Sequence, residues 1–236
     1  MKKHIKRMAA PNSWAIPRKT SYWVTKPSPG PHGTRESMPL LAVVRDMLKL
    51  CDNAREARFI IGSRGVSVDG KVVTNYKYPV GLMDVVTILK TKQNYRMLVD
   101  YKAQLKLVAI DDSEKGWKLA RIDGKKVIKK GKVQLNLHDG RCMILAKDQY
   151  ETGDVLKIDV PSQKLVKNFK LEKGSMALLI GGSHPGSLQT IEDYQIRRGS
   201  APNLVTFKEG FSTIKENVFV VGDKAPEIKL LEAKAA

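Results

Sequence analysis

Cysteine, acidic side chains and long apolar runs are all scarce in this 236-residue chain, and each shortage excludes something. The two cysteines, Cys51 and Cys142, form no Cys-x-x-Cys pair. That disfavours a disulfide scaffold and a cysteine-based zinc site, and it fits a reducing cytosol. No apolar run approaches the roughly 18 residues that a membrane-spanning helix requires. The basic N-terminus also lacks the apolar stretch of a signal peptide, so neither secretion nor a membrane partner is expected. The histidines His4, His32, His138 and His184 lie far apart, none with a second His or Cys at metal-ligand spacing. No metal is expected. No Ser, Cys or Lys nucleophile has a partner nearby, and no carboxylate stands out as a base. Neither catalysis nor a cofactor is expected.

What the chain has is positive charge. Lys and Arg number 42 against 24 Asp and Glu, a formal net charge of +18. Such an excess points to a polyanionic partner, nucleic acid before an acidic membrane surface. The charge is uneven. Residues 1–36 carry eight cations against one acid, and residues 91–170 carry eighteen against ten. Residues 37–90 carry eight against five, and residues 171–236 eight against eight. Solubility alone does not predict that distribution.

The first 35 residues contain no carboxylate at all. They hold Lys2, Lys3, Lys6, Arg7, Arg18, Lys19 and Lys26 beside Trp14, Tyr22, Trp23 and His32, with prolines every few positions. Prolines at that density exclude a long helix. The segment reads as an extended arm, mobile alone and ordered along a phosphate surface with its rings stacked on bases.

The whole chain is 42% apolar, enough to supply packed cores beyond the arm. Ser37-Met38-Pro39 offers a helix start, and Leu40, Leu41, Val44, Met47 and Leu48 follow at helical spacing. A second helix begins at Asn53, where Asn53 and Glu56 have capping-box spacing, and ends at Gly62. Residues 65–73 read as a hairpin turning at Asp69-Gly70. From about residue 93 the apolar period becomes two, with turns expected at Asp123-Gly124 and Asp139-Gly140. The fold class is α+β and mostly β: a helix–helix–hairpin module, then a small β-barrel or sandwich and further strands to about Val221. The terminal Glu-Ala-Lys-Ala-Ala reads as a frayed end.

Two constellations bear on function. Arg55 and Arg58 share a face of the second helix, and Arg64 and Lys71 follow in the hairpin region, a set suited to an RNA backbone. A solvated basic face has the same pattern. The second is Gly181-Gly182-Ser183-His184-Pro185-Gly186, a glycine-rich loop after a strand. It is not a nucleotide-binding loop, because Ser187 and Leu188 stand where Lys and Ser/Thr are required. Its glycines serve either a close backbone approach or simply a turn with positive φ.

His4-Ile-Lys-Arg-Met-Ala-Ala-Pro-Asn-Ser-Trp14, Ile16-Pro-Arg-Lys-Thr20 and Trp23-Val-Thr-Lys-Pro-Ser-Pro-Gly-Pro-His32 resemble the family of small-subunit ribosomal protein "four", archaeal/eukaryotic type. The resemblance covers essentially the whole chain. It implies an arm over 1–36, a ribosomal-protein-four-type RNA-binding module over 37–90 and a central β-domain over 91–170. A KOW-type SH3-like barrel over 171–222 and a tail over 223–236 would complete it. In KOW barrels a loop glycine lets backbone approach RNA, and that position maps to Gly186. Gln189 stands where the family usually has a further glycine, and the neutral charge of 171–236 suits a protein partner equally well.

The implied role is a cytoplasmic structural constituent of the small ribosomal subunit. Its partners would be small-subunit rRNA and neighbouring ribosomal proteins, with no DNA, and it would be monomeric within the ribosome. The alternatives are an RNA-modifying enzyme, since pseudouridine synthases carry the same module, and a ribosome-associated RNA chaperone or quality-control factor. The expected RNA-binding residues are the seven arm cations with Trp14, Trp23 and His32, then Arg55, Arg58, Arg64, Lys71 and Gly186.

Overall fold

The structure is a computed structural model that describes residues 4–231. Lys2, Lys3 and the terminal Glu-Ala-Lys-Ala-Ala lie outside the described residues. The chain divides into two compact units. The first runs to Lys118 apart from residues 101–103, and the second comprises 101–103 and everything from Leu119 onward.

The first unit is built on a five-stranded antiparallel sheet in the order Lys71–Val72, Val66–Val68, Val85–Ile88, Gln93–Val99, Leu105–Ile110. Alternation of apolar and polar residues in Val66-Ser-Val68 and Leu105-Lys-Leu107 is what a half-buried strand requires. The hairpin at Asp69-Gly70 turns with both residues at positive φ (49° and 71°), the geometry that Asp-Gly favours. The helical residues 40–47 bury Leu40, Leu41, Ala42, Val43 and Val44, and the helix Ala54–Gly62 adds Ala57 and Ile61. The capping box forms, with Glu56 accepting from the backbone N–H groups of Asn53 (3.3 Å) and Asp52 (3.1 Å).

Three expectations about this unit need correction. Ser37–Pro39 is a strand paired with Pro79–Gly81, not a helix start. Pro39 disfavours helical backbone at Met38 and serves as the residue before the helix. The strands from residue 93 to 110 join the module's sheet rather than a sheet of their own, for Gln93–Val99 pairs directly with Val85–Ile88. Period two identifies a strand but not the sheet it joins. Thirdly, residues 4–35 are packed, not a free arm. Ile5–Lys6 pairs with Trp23–Val24, Trp14 forms a parallel bridge with Leu105, and Ala10, Trp14, Ile16 and Val24 are buried.

The second unit holds two five-stranded sheets. One has the order Cys142–Leu145, Val133–Leu137, Trp117–Val127, Val155–Asp159, Leu165–Phe169, of which Trp117 and Lys118 belong to the first unit. Ala120, Ile122, Leu135, Leu137, Leu156 and Ile158 form its core, every second residue of each strand turned inward. Asp123-Gly124 is not the turn expected. Strand Trp117–Val127 runs through it with a bulge, and the reversal comes at the short 3-10 turn Lys129–Gly131. The other sheet has the order Ser212–Ile214, Leu204–Phe207, Leu188–Gln195, Met176–Leu179, Val218–Gly222. Phe207, Phe219 and Ile191 are fully buried there.

Candidate nucleic-acid interface

Several residues expected to face RNA are turned inward. Trp14 is 1% exposed, and its indole N–H donates to the Ser37 carbonyl at 2.7 Å. The buried Arg7 guanidinium donates to the Pro17 carbonyl and to Ser21, and it faces Asp46 at 3.5 Å. Arg18 donates to the carbonyls of Ala10 (2.6 Å) and Pro11 (2.8 Å). His32 is buried, its Nε2 2.9 Å from Asp84 Oδ2. These donors engage the protein's own carbonyls and carboxylates, which leaves less of each for a ligand.

His32 belongs to a buried charge network. Lys118 Nζ lies 2.6 Å from Asp69 Oδ2 and 2.9 Å from Asp84 Oδ1. Asp69 Oδ1 accepts from the Val85 N–H, and Asp84 Oδ2 also accepts from the Gly81 N–H, each at 3.0 Å. Burial alone would raise the Asp84 carboxyl. The Lys118 ammonium and the His32 imidazole outweigh it and hold the group far below the usual carboxylate range. The network ties the end of the arm to the hairpin turn, the turn at residues 81–84 and Lys118, the last residue of the unit. A second buried cation, Arg96, meets Glu114 at 3.1 Å with its guanidinium over the Trp117 ring. Both sets are structural.

The exposed cations differ. Lys6, Lys19, Arg55, Arg58, Arg64 and Lys71 are all exposed. Arg55 and Arg58 divide between two concavities. Arg55 borders an apolar groove with Leu50, Glu56 and Phe59, a ring that is 74% exposed. Cys51 lies there too, its thiol pushed up by burial and by the Glu56 carboxylate. Arg58 lines an open cavity of about 320 Å³ together with Trp23 and Lys26 from the arm, and with Arg45, Tyr76 and Lys77. The structure therefore brings three of the expected residues, Trp23, Lys26 and Arg58, to one place. Arg64 and Lys71 line neither concavity. Arg64 follows the helix at positive φ (60°), and Lys71 opens the second strand of the hairpin.

Tyr76 and Lys77 were not singled out in the sequence, although an aromatic–lysine pair was there to read. A cationic tip in the second unit was missed as well. Lys126, Lys129 and Lys132 are exposed around the turn Lys129–Gly131, within a run dense in lysine. Lys125 in the same run is paired with Asp148 at 2.6 Å. In the glycine-rich loop, Gly186 has φ of 74° and its N–H donates to the Leu179 carbonyl at 2.7 Å. That donor is engaged in closing the loop.

The comparisons with known proteins agree with one another. The model described as "Ribosomal family S4e" matches residues 91–165, the "RS4NT (NUC023) domain" residues 1–35 and the "S4 domain" residues 38–86. A relative from Methanothermobacter thermautotrophicus, "Small ribosomal subunit protein eS4", is 46% identical over 97% of this chain and 96% of its own. The chain belongs to the ribosomal S4e family. An eS4 from Methanocaldococcus jannaschii is 45% identical over 97% of this chain and 98% of its own. A crystal structure of the 30S ribosomal protein S4e from Thermoplasma acidophilum superposes with a TM-score of 0.72 at 37% identity. That match covers 80% of this chain and 96% of that one. The mostly-β architecture with few helices and an S4 domain is that of S4e proteins.

Proposed function

We propose that this S4e protein is a structural, non-enzymatic constituent of the small ribosomal subunit, working in the cytoplasm. It binds folded small-subunit rRNA beside neighbouring ribosomal proteins. The observation that carries this is the 46% identity to a small-subunit protein eS4 along nearly the whole of both chains. A net charge of +18, with Arg55, Arg58, Arg64 and Lys71 exposed on the first unit, gives the physical means. Each phosphate neutralised releases condensed counterions and lets RNA helices pack more closely. The modifying-enzyme reading has no support among the relatives.

Within that role, our working scheme is an arm (1–36), a module (37–90), a central β-domain (91–170) whose leading strands Gln93–Val99 and Leu105–Ile110 extend the module's sheet, a KOW-type SH3-like barrel (171–222) and a tail (223–236). The antiparallel sheet holding Met176–Leu179 between Leu188–Gln195 and Val218–Gly222 favours a small barrel at the C-terminal end. Sedimentation of a cell lysate tests the function. The protein should co-migrate with small subunits, one copy each, through a high-salt wash. Release into the top fractions would make it a transient factor instead.

A further inference from the structure

We propose that the cavity shared by the arm and the helix Ala54–Gly62 is a binding site for one unstacked nucleotide of single-stranded RNA. The base would lie against Trp23 and the phosphate would be held by Arg58 and Lys77. This rests on the rRNA-binding reading and adds a particular site and a particular form of RNA to it.

The cavity measures about 320 Å³. That lies at the small end of the roughly 300–1,000 Å³ typical of small-ligand sites, room for a single nucleotide and too little for a duplex. Among the described residues its lining includes three aromatic rings, His4, Trp23 and Tyr76, and four cations, Lys26, Arg45, Arg58 and Lys77, and no carboxylate. Arg45 is paired with Asp46 at 2.8 Å, a carboxylate it shares with Arg7. Arg58 has no carboxylate partner among the described residues, and its guanidinium sits 4.7 Å from the centroid of Tyr76. Lys77 Nζ lies 5.6 Å from the same ring. Tyr76 thus holds two cations in place without cancelling either charge.

Trp23 is 48% exposed, an unusual amount for an indole in a folded unit. It is braced by His4 and Tyr22, each with its ring centroid 4.7 Å away and nearly perpendicular to it. The ring is therefore fixed in orientation while part of its surface stays open. A merely solvated basic face needs no oriented aromatic ring. An acidic peptide would satisfy the cations but leave the indole without a planar partner, whereas a base and its phosphate satisfy both. Bases within a duplex present no face for stacking, which is why the site selects single strands.

The test uses the full chain, a 12-nucleotide single-stranded RNA of mixed sequence and a hairpin closed by a tetraloop whose bases are stacked and hydrogen-bonded within the loop. A polyglutamate 12-mer serves as a competitor. Trp14 is buried and Trp117 half-buried beneath Arg96, so the quenching contributed by Trp23 is read as the difference between wild type and Trp23→Phe. On the proposal, Trp23→Leu weakens single-strand binding about tenfold and hairpin binding less than about twofold. Trp23→Phe restores most of the affinity, and Arg58→Ala weakens single-strand binding too. Should Trp23→Leu melt early, the wild-type quenching difference and the Arg58→Ala titration decide alone. Equal losses on both RNAs, absence of quenching from Trp23, or displacement by polyglutamate as effective as by RNA would overturn the proposal. In the first two cases wild-type binding to the hairpin leaves the ribosomal reading standing. Failure of the wild type to bind either RNA removes both.

Discussion

His32 occupies the space in which a side chain on Gly81 would stand, for a Cβ built there would overlap the imidazole ring. The same ring reaches Asp84 at 2.9 Å, while the Gly81 N–H donates to that same carboxylate oxygen at 3.0 Å. A missing side chain at one position is therefore what admits the end of the arm to the buried charge network.

Gly81→Ala should expel His32 and loosen the arm without touching an exposed cation. The expected cost is about 1–3 kcal/mol, the range for overpacking and for leaving a buried polar group without its partner. Thermal melting would register the loss. Limited proteolysis should show new cleavage within residues 15–35, and an unchanged digestion pattern would sever the proposed link between Gly81 and the arm.

Lys118→Met leaves Asp69 and Asp84 facing each other without the ammonium between them. Removing one partner of a buried pair typically costs about 3–5 kcal/mol, because a charge stays buried and uncompensated. Urea denaturation should place this among the most damaging substitutions in the first unit. Arg96→Ala, which strands Glu114, should approach it.

The depressed Asp84 carboxyl sets a pH dependence. Its folded value lies below the unfolded one, so its contribution is fully present above about pH 4 and is lost as pH falls toward the folded value. Urea midpoints of wild type should drop steeply below about pH 4. Asp84→Asn should be less stable at neutral pH and show a shallower drop. Parallel curves for the two proteins would contradict the assignment.

For RNA binding, Arg58→Ala and Arg55→Ala should each reduce the slope of log affinity against log salt by about 0.7–0.9. The loss should be similar on cognate and unrelated RNA, as phosphate contacts carry no sequence information. An unchanged slope in both would make the helix face merely solvated.

Gly186→Ala should lower the melting temperature and leave RNA affinity intact in the folded fraction. A φ of 74° strains a side chain, at about 1 kcal/mol, and the N–H already donates to Leu179. Lowered affinity with an unchanged melting temperature would restore the close-approach reading of the loop.

Local features were readable in the sequence wherever neighbours in sequence decide the outcome. The capping pair Asn53 and Glu56 and the Asp69-Gly70 turn both depend on residues within a few positions. His32, Arg7 and Trp14 were misread because their surroundings come from afar: Asp84, Asp46 and Leu105. A carboxylate-free stretch rich in Arg and Trp looks like an RNA-facing surface until the distant carbonyls and carboxylates that engage it are in place. The charge excess of residues 91–170 was visible, but its exposed focus at Lys126, Lys129 and Lys132 depended on a turn displaced from Asp123-Gly124 to Lys129–Gly131.

The parallel bridge between Trp14 and Leu105 has a consequence in time. Synthesis proceeds from residue 1, so the arm emerges while Leu105 and Lys118 are still unmade. At about 5–20 residues per second, the interval between Trp14 and Lys118 is roughly 5–20 s. Throughout it, Trp14 and His32 lack the strand and the ammonium that will enclose them. Over that interval the first 35 residues, which carry no carboxylate, present a polycationic stretch with an uncovered indole. The arm therefore gains its enclosed form only after Lys118 has been made.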